Sequence, residues 1–297
     1  MASPTSILVL GAGELGIEVL RSLAGHPARN AAALTVLKRT SAANSSDELE
    51  KLGIRIQHAD VVASTEQELA KIFSAYDVVI SCNGMTLPQD TQLKLGKAAI
   101  RAGVKRYFPW QFGLSYDALG RGSSQNLFDA QLDVRDLLRG QITMQWVIVS
   151  TGIFTSFLFE PAFDVVNIEQ RTFTALGSWE NSITATSPVD IGRVVAKLVF
   201  ACPDVHGIVC AAGDTISMQG LADTVDIALE TKLQRKVATV QQLEAELQAD
   251  PENGAKKYRA VFAAGVGTAW EKADTFNAAQ DMSMQTVREW TEQHHLK

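Results

Sequence analysis

Cysteine and histidine are scarce in this sequence, and only His294 and His295, in the polar tail, are neighbours. The 297 residues contain three cysteines, Cys82, Cys202 and Cys210, and five scattered histidines. These positions lack the short spacings of metal ligands, and an odd number of distant cysteines does not form a disulfide framework. The sequence therefore predicts no metal site and no structural disulfide, and it favours a reducing compartment, the cytoplasm.

The sequence also lacks a long hydrophobic run and an excess of positive charge. No basic residues precede the first apolar stretch, Ser6–Leu10, which is itself too short for a signal peptide. The charge-free stretch 140–159 includes too many hydroxyl and amide side chains to cross a bilayer. A net charge of −6 repels phosphate backbones. We therefore expect no membrane segment and no nucleic-acid partner.

What the sequence contains instead is a regular alternation of short apolar runs and amphipathic helical patterns. Strands that alternate with helices become parallel neighbours through right-handed crossovers, which predicts the α/β class with a doubly wound, Rossmann-type parallel sheet. The predicted strands are Ser6–Leu10, Leu34–Lys38, Ile54–Gln57, Asp77–Ser81, Arg106–Pro109, Met144–Ser150 and Gly207–Ala211. The predicted helices are Glu14–Ala24, Glu66–Ser74, Thr91–Ala102, Ser124–Arg139 and Val189–Phe200.

The alternation becomes irregular after Ser150, where phenylalanines and turn residues crowd the chain, and the C-terminal part returns to helical patterns. We therefore predict a dinucleotide-binding domain over residues 1–152. A smaller, mostly helical substrate-side region is predicted over residues 153–297, interleaved with the last strands and helices of the sheet. We expect a monomer or a homodimer.

A glycine-rich loop joins the first predicted strand to the first predicted helix. It reads Gly11-Ala12-Gly13-Glu14-Leu15-Gly16. In a strand–loop–helix unit the first glycine permits a tight turn, the second lets the backbone approach a pyrophosphate, and the third allows close helix–strand packing. Glu14 falls in the first helical turn, where negative charge is stabilised. A glycine turn without a ligand is the alternative, and the complete βαβ unit favours nucleotide binding.

The end of the second predicted strand indicates which nucleotide binds. A site for NAD places an acidic residue there, about 20 residues beyond the glycines, to hold the ribose 2′-hydroxyl. No acidic residue occurs between positions 19 and 46, and the strand ends instead in Lys38-Arg39-Thr40-Ser41. Cations and hydroxyls suit a 2′-phosphate, which arginine grips with two parallel hydrogen bonds. A solvated basic turn is the alternative, and the missing carboxylate favours NADPH.

Two further segments complete a family pattern. Asn83-Gly84 follows the fourth strand, and residues 102–113 read Ala-Gly-Val-Lys-Arg-Tyr-Phe-Pro-Trp-Gln-Phe-Gly. The second segment resembles the Gly-Val-Lys-Arg-Phe-Xaa-Pro-Ser-Glu-Phe-Gly signature of the isoflavone reductase-like and NmrA-like branch of the atypical short-chain dehydrogenases, with Trp110-Gln111 in place of Ser-Glu. The resemblance covers most of the chain and weakens towards its C-terminus. It implies that Asn83-Gly84 lines the adenosine side and that Pro109–Phe112 lies near the nicotinamide.

The resemblance also identifies a replaced residue on the predicted helix Ser124–Arg139. Reductases of this family carry a lysine there, as proton donor or nicotinamide-ribose contact. When the family's Phe-Xaa-Xaa-Lys-Xaa-Xaa-Xaa-Arg pattern is placed on Phe128 and Arg135, Gln131 occupies the lysine position. A glutamine amide hydrogen-bonds a ribose or a carbonyl but does not titrate. Tyr116, another candidate proton donor, has no lysine four residues later.

Three functions are compatible with these residues. The first is an NADPH-dependent reductase of a small, aromatic or polyketide-like carbonyl or enone compound, which is the substrate class that the resemblance implies. The second is a non-catalytic, NADP(H)-sensing regulator of the NmrA kind, which the replaced lysine favours. The third is an enzyme of isomerisation or cyclisation that keeps the fold. We rank the reductase first because the phenylalanine-rich stretch offers an apolar lining for a substrate, with core packing as the alternative.

The candidate site residues fall into three groups. The catalytic candidates are Gln131 and Tyr116, and the substrate-binding candidates are Trp110, Phe154 and Phe157. The cofactor-binding candidates are Gly11, Gly13, Glu14, Leu15, Gly16, Lys38, Arg39, Thr40, Asn83, Gly84, Pro109, Gln111 and Phe112.

Overall fold

The computed structural model of the chain describes residues 6–29, 32–39, 46–84 and 87–295, apart from the side chains of Ser46 and Leu127. Among the candidate site residues, Thr40 lies outside these ranges. No helix within them is long and apolar enough to cross a membrane.

Strands and helices alternate along the first half of the chain and are mixed afterwards. The strands are β1 (Ser6–Leu10), β2 (Ala33–Lys38), β3 (Ile54–His58), β4 (Val78–Ser81), β5 (Arg106–Phe108), β6 (Gln145–Ser150), β7 (Ile153–Phe154), β8 (Val166–Asn167), β9 (Thr172–Leu176), β10 (Ser182–Thr186), β11 (Gly207–Cys210), β12 (Asp214–Ser217) and β13 (Gln234–Ala238). The helices are α1 (Glu14–Gly25), α2 (Ser46–Lys51), α3 (Glu66–Phe73), α4 (Asp90–Arg101), α5 (Tyr116–Leu119), α6 (Leu127–Arg139), α7 (Pro188–Phe200), α8 (Met218–Ala228), α9 (Val240–Ala249), α10 (Gly254–Ala264), α11 (Phe276–Ala279) and α12 (Val287–His295).

Seven strands form a sheet in the order β11-β6-β5-β4-β1-β2-β3. Strands β1 to β6 pair in parallel, so that Leu8 of β1 lies opposite Thr35 of β2 and Val79 of β4. The predicted doubly wound α/β fold is confirmed, and the seven predicted strands agree with the observed ones to within one residue at each end. The strand order reverses between β1 and β4. In sheets of this type, ligands bind outside the carboxyl ends of the strands at such a switch point.

The sheet strands are apolar because helices cover them. Residues 7–10 of β1 are fully buried, and so are most side chains of β4. Helices α3, α4 and α6 contribute Leu69, Leu95 and Leu138 to the core cluster on one face of the sheet. Each fully buried side chain of this size contributes about 1.5–3 kcal/mol to the stability of the fold. The rigid sheet therefore fixes the positions of the loops at its carboxyl edge.

The chain divides into two compact units, each built from several stretches. The first unit comprises residues up to 112 together with 130–149 and 191–209, and it contains the seven-stranded sheet. The second unit comprises 113–129, 150–190 and residues from 210 onwards. The predicted single boundary between residues 152 and 153 stays a prediction.

Within the first unit, a buried arginine ties strand β5 to the end of helix α7. The Arg106 guanidinium donates to the backbone carbonyl oxygens of Leu198, Cys202 and Val205 at 2.6, 3.3 and 2.6 Å. These carbonyls lie in and just beyond the last turn of α7, where a helix leaves acceptors without intrahelical partners. Burial lowers the pKa of Arg106 to about 10, so the side chain remains charged at neutral pH.

The second unit contains two three-stranded sheets, β12-β10-β7 and β13-β9-β8, with helices α8 to α12. Helix α10 packs on α9 and β9, and α12 packs on α8. The sequence analysis predicts none of these six strands. They are short, and several contain few large apolar residues, as in Thr172–Leu176 and Gln234–Ala238, so their hydrophobic signal is weak.

Helix α6 begins three residues later than the sequence predicts. The prediction starts it at Ser124, whereas the observed helix starts at Leu127. The segment before it folds as a turn in which the Gly122 N–H donates to the Asp129 carboxylate at 3.0 Å. A side-chain acceptor reaching back to the turn competes with an earlier helix start.

Candidate functional site

The loop after β1 needs glycine at two positions because its surroundings leave no room for a side chain. Gly11 has a φ of +95°, and a Cβ there would lie 1.6 Å from the Asn83 Oδ1 atom. A Cβ on Gly16 would lie 2.2 Å from the carbonyl oxygen of Gly11, so α1 packs directly on the loop. The Gly11 N–H donates to the Leu37 carbonyl oxygen at 2.9 Å. The loop is thereby held between the ends of β2 and β4.

The N-terminus of α1 opens onto free space. Gly13 is the exposed N-cap residue, no side chain caps the helix, and no atom lies within 4 Å of where a Gly13 Cβ would be. Glu14 is exposed in the first turn, whereas Leu15 points into the core. The first N–H groups of a helix lack intrahelical acceptors and carry a partial positive charge. This end of α1 can therefore receive a phosphate group without displacing any side chain.

A cavity of about 350 Å³ lies at the carboxyl edge of the sheet. Four segments line it: residues 11–13 after β1, 37–39 at the end of β2, 59–62 after β3, and 82–84 after β4 with the adjoining Leu87. The cavity includes the switch point between β1 and β4, and its volume is within the usual range for small-ligand sites. The glycine loop and the basic end of β2 therefore share one cavity.

The basic end of β2 lies near an acidic residue that the sequence analysis did not identify as part of the site. Lys38 is 6% exposed, whereas Arg39 is exposed to solvent. The Asp60 carboxylate accepts hydrogen bonds from the N–H groups of Val62 and Ala63 at 2.8 and 3.3 Å. These two bonds and, to a smaller extent, the charge of Arg39 lower the pKa of Asp60. The position of Asp60 just after the third strand, at the same sheet edge, is the signal that could have identified it.

A tryptophan connects the loop after β4 with the end of β5. A Cβ on Gly84 would lie 1.7–2.2 Å from three ring atoms of Trp110, so the indole rests against the glycine backbone. Trp110 is partly exposed, and the preceding Pro109 is buried. The Asn83 carbonyl oxygen accepts a hydrogen bond from the Gln92 side chain at 2.6 Å. The structure thus brings Asn83, Gly84 and Trp110 together.

Three polar side chains are buried between the end of β5 and helix α6. The Gln111 Nε2 donates to the backbone carbonyl oxygen of Gln131 at 2.8 Å, and the Gln111 Oε1 accepts from the Arg135 Nε at 2.8 Å. Gln111 and Gln131 have no exposed surface, and Arg135 is 1% exposed. The side-chain amide of Gln131 has no hydrogen-bond partner among the described residues. Since a buried amide without a partner costs about 1–3 kcal/mol, Gln131 is suited to bind a polar group of a ligand.

The remaining candidates lie in the second unit, apart from Phe112, which is buried at the end of the segment after β5. Tyr116 is buried, and its ring packs against Phe128 with 4.8 Å between centroids. Phe157 packs against Phe163 and Tyr258, a residue that the sequence analysis did not single out. Phe154 lies on β7 opposite Thr186 of β10 and has no ring contact among the described residues. Phe157 and Tyr116 therefore belong to one group of rings, and Phe154 does not.

Comparison with known proteins gives concordant matches over nearly the whole chain. A family model described as the NmrA-like family matches residues 4–290. An "NmrA-like family domain-containing oxidoreductase" from Gibberella moniliformis is 46% identical over 304 aligned positions, which cover 98% of each chain. A crystal structure of isoflavone reductase superposes with a TM-score of 0.80 at 18% identity, covering 98% of this chain and 99% of the other. A binary complex of leucoanthocyanidin reductase and NADPH from Vitis vinifera superposes with a TM-score of 0.77 at 19% identity, covering 98% and 100%.

Proposed function

Since the chain belongs to the NmrA-like family, we propose that it is an NADPH-dependent reductase of a small, aromatic or polyketide-like carbonyl or enone compound. It is an oxidoreductase, the class named for its relative of 46% identity over almost the entire chain. The observation that supports NADPH as the cofactor is the cavity that both the glycine loop and the basic end of β2 line. A glycine-rich loop and a strand end without an acid suit the phosphates of NADPH.

We assign the contacts with the cofactor to residues at both of its ends. Gly11, Gly13 and Gly16, with the N–H groups of Glu14 and Leu15, receive the pyrophosphate at the start of α1. Lys38 and Arg39, with Thr40, bind the 2′-phosphate, and Asn83 and Gly84 line the adenosine side. Pro109, Gln111 and Phe112 would lie near the nicotinamide, as the family resemblance implies. When bound, NADPH supplies a hydride from its nicotinamide ring.

In this proposal Gln131 hydrogen-bonds the cofactor or the substrate and holds it in position, and Gln131 does not transfer a proton. The Nε2 and Oε1 atoms of the buried Gln131 amide have no partners among the described residues, which suits a ribose hydroxyl or a carbonyl oxygen. An amide does not titrate, so the proton that completes reduction of a carbonyl or enone has another source. We assign this proton transfer to the Tyr116 hydroxyl, and we assign contacts with the substrate to Trp110, Phe154 and Phe157.

The 2′-phosphate assignment predicts a selective effect of Arg39→Ala. The variant should bind NADPH about 10- to 100-fold more weakly than the unchanged protein, because charge-assisted hydrogen bonds to the phosphate are lost. Its affinity for NADH should change by less than about twofold, because NADH has a hydroxyl at that position. Calorimetric titration with each nucleotide measures both dissociation constants.

Arg55→Ala is the matched control, because Arg55 is an exposed arginine on β3 outside the cavity lining. This control should leave both dissociation constants unchanged. Equal weakening of NADPH and NADH by Arg39→Ala would show that Arg39 does not read the 2′-phosphate.

Turnover separates the proposed reductase from the two other functions. NADPH oxidation should accelerate when the protein receives a panel of aryl ketones and enones. Tight NADPH binding without turnover of any compound would favour the NADP(H)-sensing regulator, for which the neutral Gln131 is the supporting observation. Conversion of a compound without consumption of NADPH would indicate isomerisation or cyclisation.

A further inference from the structure

Six aromatic side chains form a continuous group in the second unit, which we call the aromatic cluster. Consecutive ring centroids lie 4.8 Å apart for Tyr116 and Phe128, 5.7 Å for Phe128 and Tyr258, and 5.9 Å for Tyr258 and Phe157. The chain of contacts continues from Phe157 to Phe163 at 4.8 Å and from Phe163 to Phe262 at 5.5 Å. Tilted and edge-to-face contacts at these distances are favourable for aromatic rings. The cluster joins residues from the segment 113–129, from the stretch after β7 and from α10.

The members of the aromatic cluster differ in exposure. Tyr116, Phe128, Phe163 and Phe262 are at most 3% exposed. Phe157 and Tyr258 remain partly exposed. Phe157 and Tyr258 therefore carry the more accessible ring surface of the cluster, and their contacts with the buried rings hold them in place.

The Tyr258 hydroxyl is the polar group of this surface. It makes no hydrogen bond with any described residue, although Tyr258 is only partly exposed. Burial, with a smaller contribution from the neighbouring Tyr116, raises the pKa of Tyr258. The hydroxyl therefore stays protonated and keeps its donor available. A poorly hydrated hydroxyl gains more from a ligand hydrogen bond than one in water does.

Helix α10 holds Tyr258 in place. The adjacent Lys257 donates to the Asn126 side chain at 3.0 Å, and Tyr258 contacts Phe128 two residues later. Two neighbouring residues of α10 thus attach to the start of α6. A hydroxyl fixed in this way is preorganised, which reduces the entropy lost when it binds a ligand.

We propose that Tyr258 is a specificity-determining residue, which hydrogen-bonds an oxygen substituent of a flat aromatic ligand whose ring packs against Phe157 and Tyr258. The proposal deepens the proposed function, since it rests on an aromatic substrate, and it adds a residue from the C-terminal part of the chain. Aryl rings without an oxygen are bound by the same surface but more weakly. The Tyr258 hydroxyl thus selects ligands that carry the oxygen, whereas the rings of Phe157 and Tyr258 bind the aromatic ring of either ligand.

The test compares 2-naphthol with naphthalene, which share a ring system and differ by one hydroxyl. Equilibrium dialysis measures the dissociation constant of each probe for the full chain and for Tyr258→Phe, with and without saturating NADP+. We expect the unchanged protein to prefer 2-naphthol by about fivefold, the size of one neutral hydrogen bond. Tyr258→Phe should remove that preference and leave the affinity for naphthalene unchanged. Phe157→Leu should weaken both probes by a similar factor, because it removes ring contact.

Tyr76→Phe is the matched control, since it deletes a tyrosine hydroxyl in the first unit that is bonded to Gln57. It should keep the preference for 2-naphthol. The proposal is overturned if neither probe binds, if the unchanged protein binds both equally, or if Tyr258→Phe retains the preference. Titration of Tyr258→Phe with NADPH is the independent readout. An unchanged NADPH affinity beside a lost naphthol preference supports the proposal, and absence of NADPH binding to the unchanged protein would instead refute the reductase.

Discussion

Gly16→Ala should lower NADPH affinity by about 100-fold and destabilise the fold by about 1–3 kcal/mol. The added Cβ would lie 2.2 Å from the carbonyl oxygen of Gly11 and 2.9 Å from its carbonyl carbon. Both atoms belong to the backbone of the loop, which cannot rotate away as a side chain does. Helix α1 would have to separate from the loop, and its N–H groups would move away from the pyrophosphate. Calorimetric titration and urea unfolding measure the two effects.

Substitutions of two other glycines in this region distinguish an effect on NADPH affinity from an effect on the unfolding free energy. Gly25→Ala, at the far end of α1, has open space around the new Cβ. It should change neither the NADPH affinity nor the unfolding free energy. Gly13→Ala also has open space and an ordinary φ of −78°, so its unfolding free energy should change by less than about 0.5 kcal/mol. Its NADPH affinity should still fall about tenfold, because the Cβ occupies the side on which the pyrophosphate approaches. Normal NADPH binding by Gly13→Ala and Gly16→Ala would mean that the loop is a structural turn only.

Gln131→Lys should destabilise the protein by about 3–5 kcal/mol, although it restores the residue typical of the family. Residue 131 has no exposed surface, and its side chain has no hydrogen-bond partner among the described residues. An ammonium there would be buried, and the Arg135 guanidinium lies one helical turn away on the same face. Urea unfolding measures the loss. Gln248→Lys, an exposed position on α9, is the control and should be neutral.

The same argument predicts partial rescue by a second substitution. Gln111 touches both the Gln131 carbonyl and the Arg135 guanidinium, and it stands where the family signature has glutamate. Gln111→Glu in the Gln131→Lys background should recover about 1–3 kcal/mol, because the carboxylate pairs with the new ammonium. Additive effects of the two substitutions in the double-mutant cycle would show that positions 111 and 131 are not coupled.

The features that the sequence predicts well are those formed by neighbouring residues. The strand–loop–helix unit around Gly11–Gly16 and the basic pair Lys38-Arg39 are contiguous in the chain, so their place at one edge of the sheet is predictable before the fold is known. The seven sheet strands are similarly predictable because both of their faces are buried and their apolar runs are continuous.

The features that the sequence does not predict depend on contacts between distant residues. Asp60 approaches Arg39 only because β3 pairs with β2 in a particular register. Gln111 and Gln131 come into contact because β5 and α6 are adjacent in space. Tyr258 joins Phe157 and Phe128 from about a hundred residues away. No local pattern marks such pairs, since each residue alone resembles an ordinary surface or core residue.

The division of the first unit into three stretches has a consequence for synthesis on the ribosome. Strand β11, which completes the sheet, and the carbonyls that bind Arg106 belong to residues 198–210. Until that segment emerges from the ribosome, β6 has an open edge and Arg106 lacks these acceptors. The seven-stranded sheet therefore cannot be completed before then. Pairings between such distant residues also raise the contact order, which slows folding. A recombinant fragment that stops shortly after β6 would omit both β11 and α7, and the cofactor-binding half cannot be isolated by a single truncation.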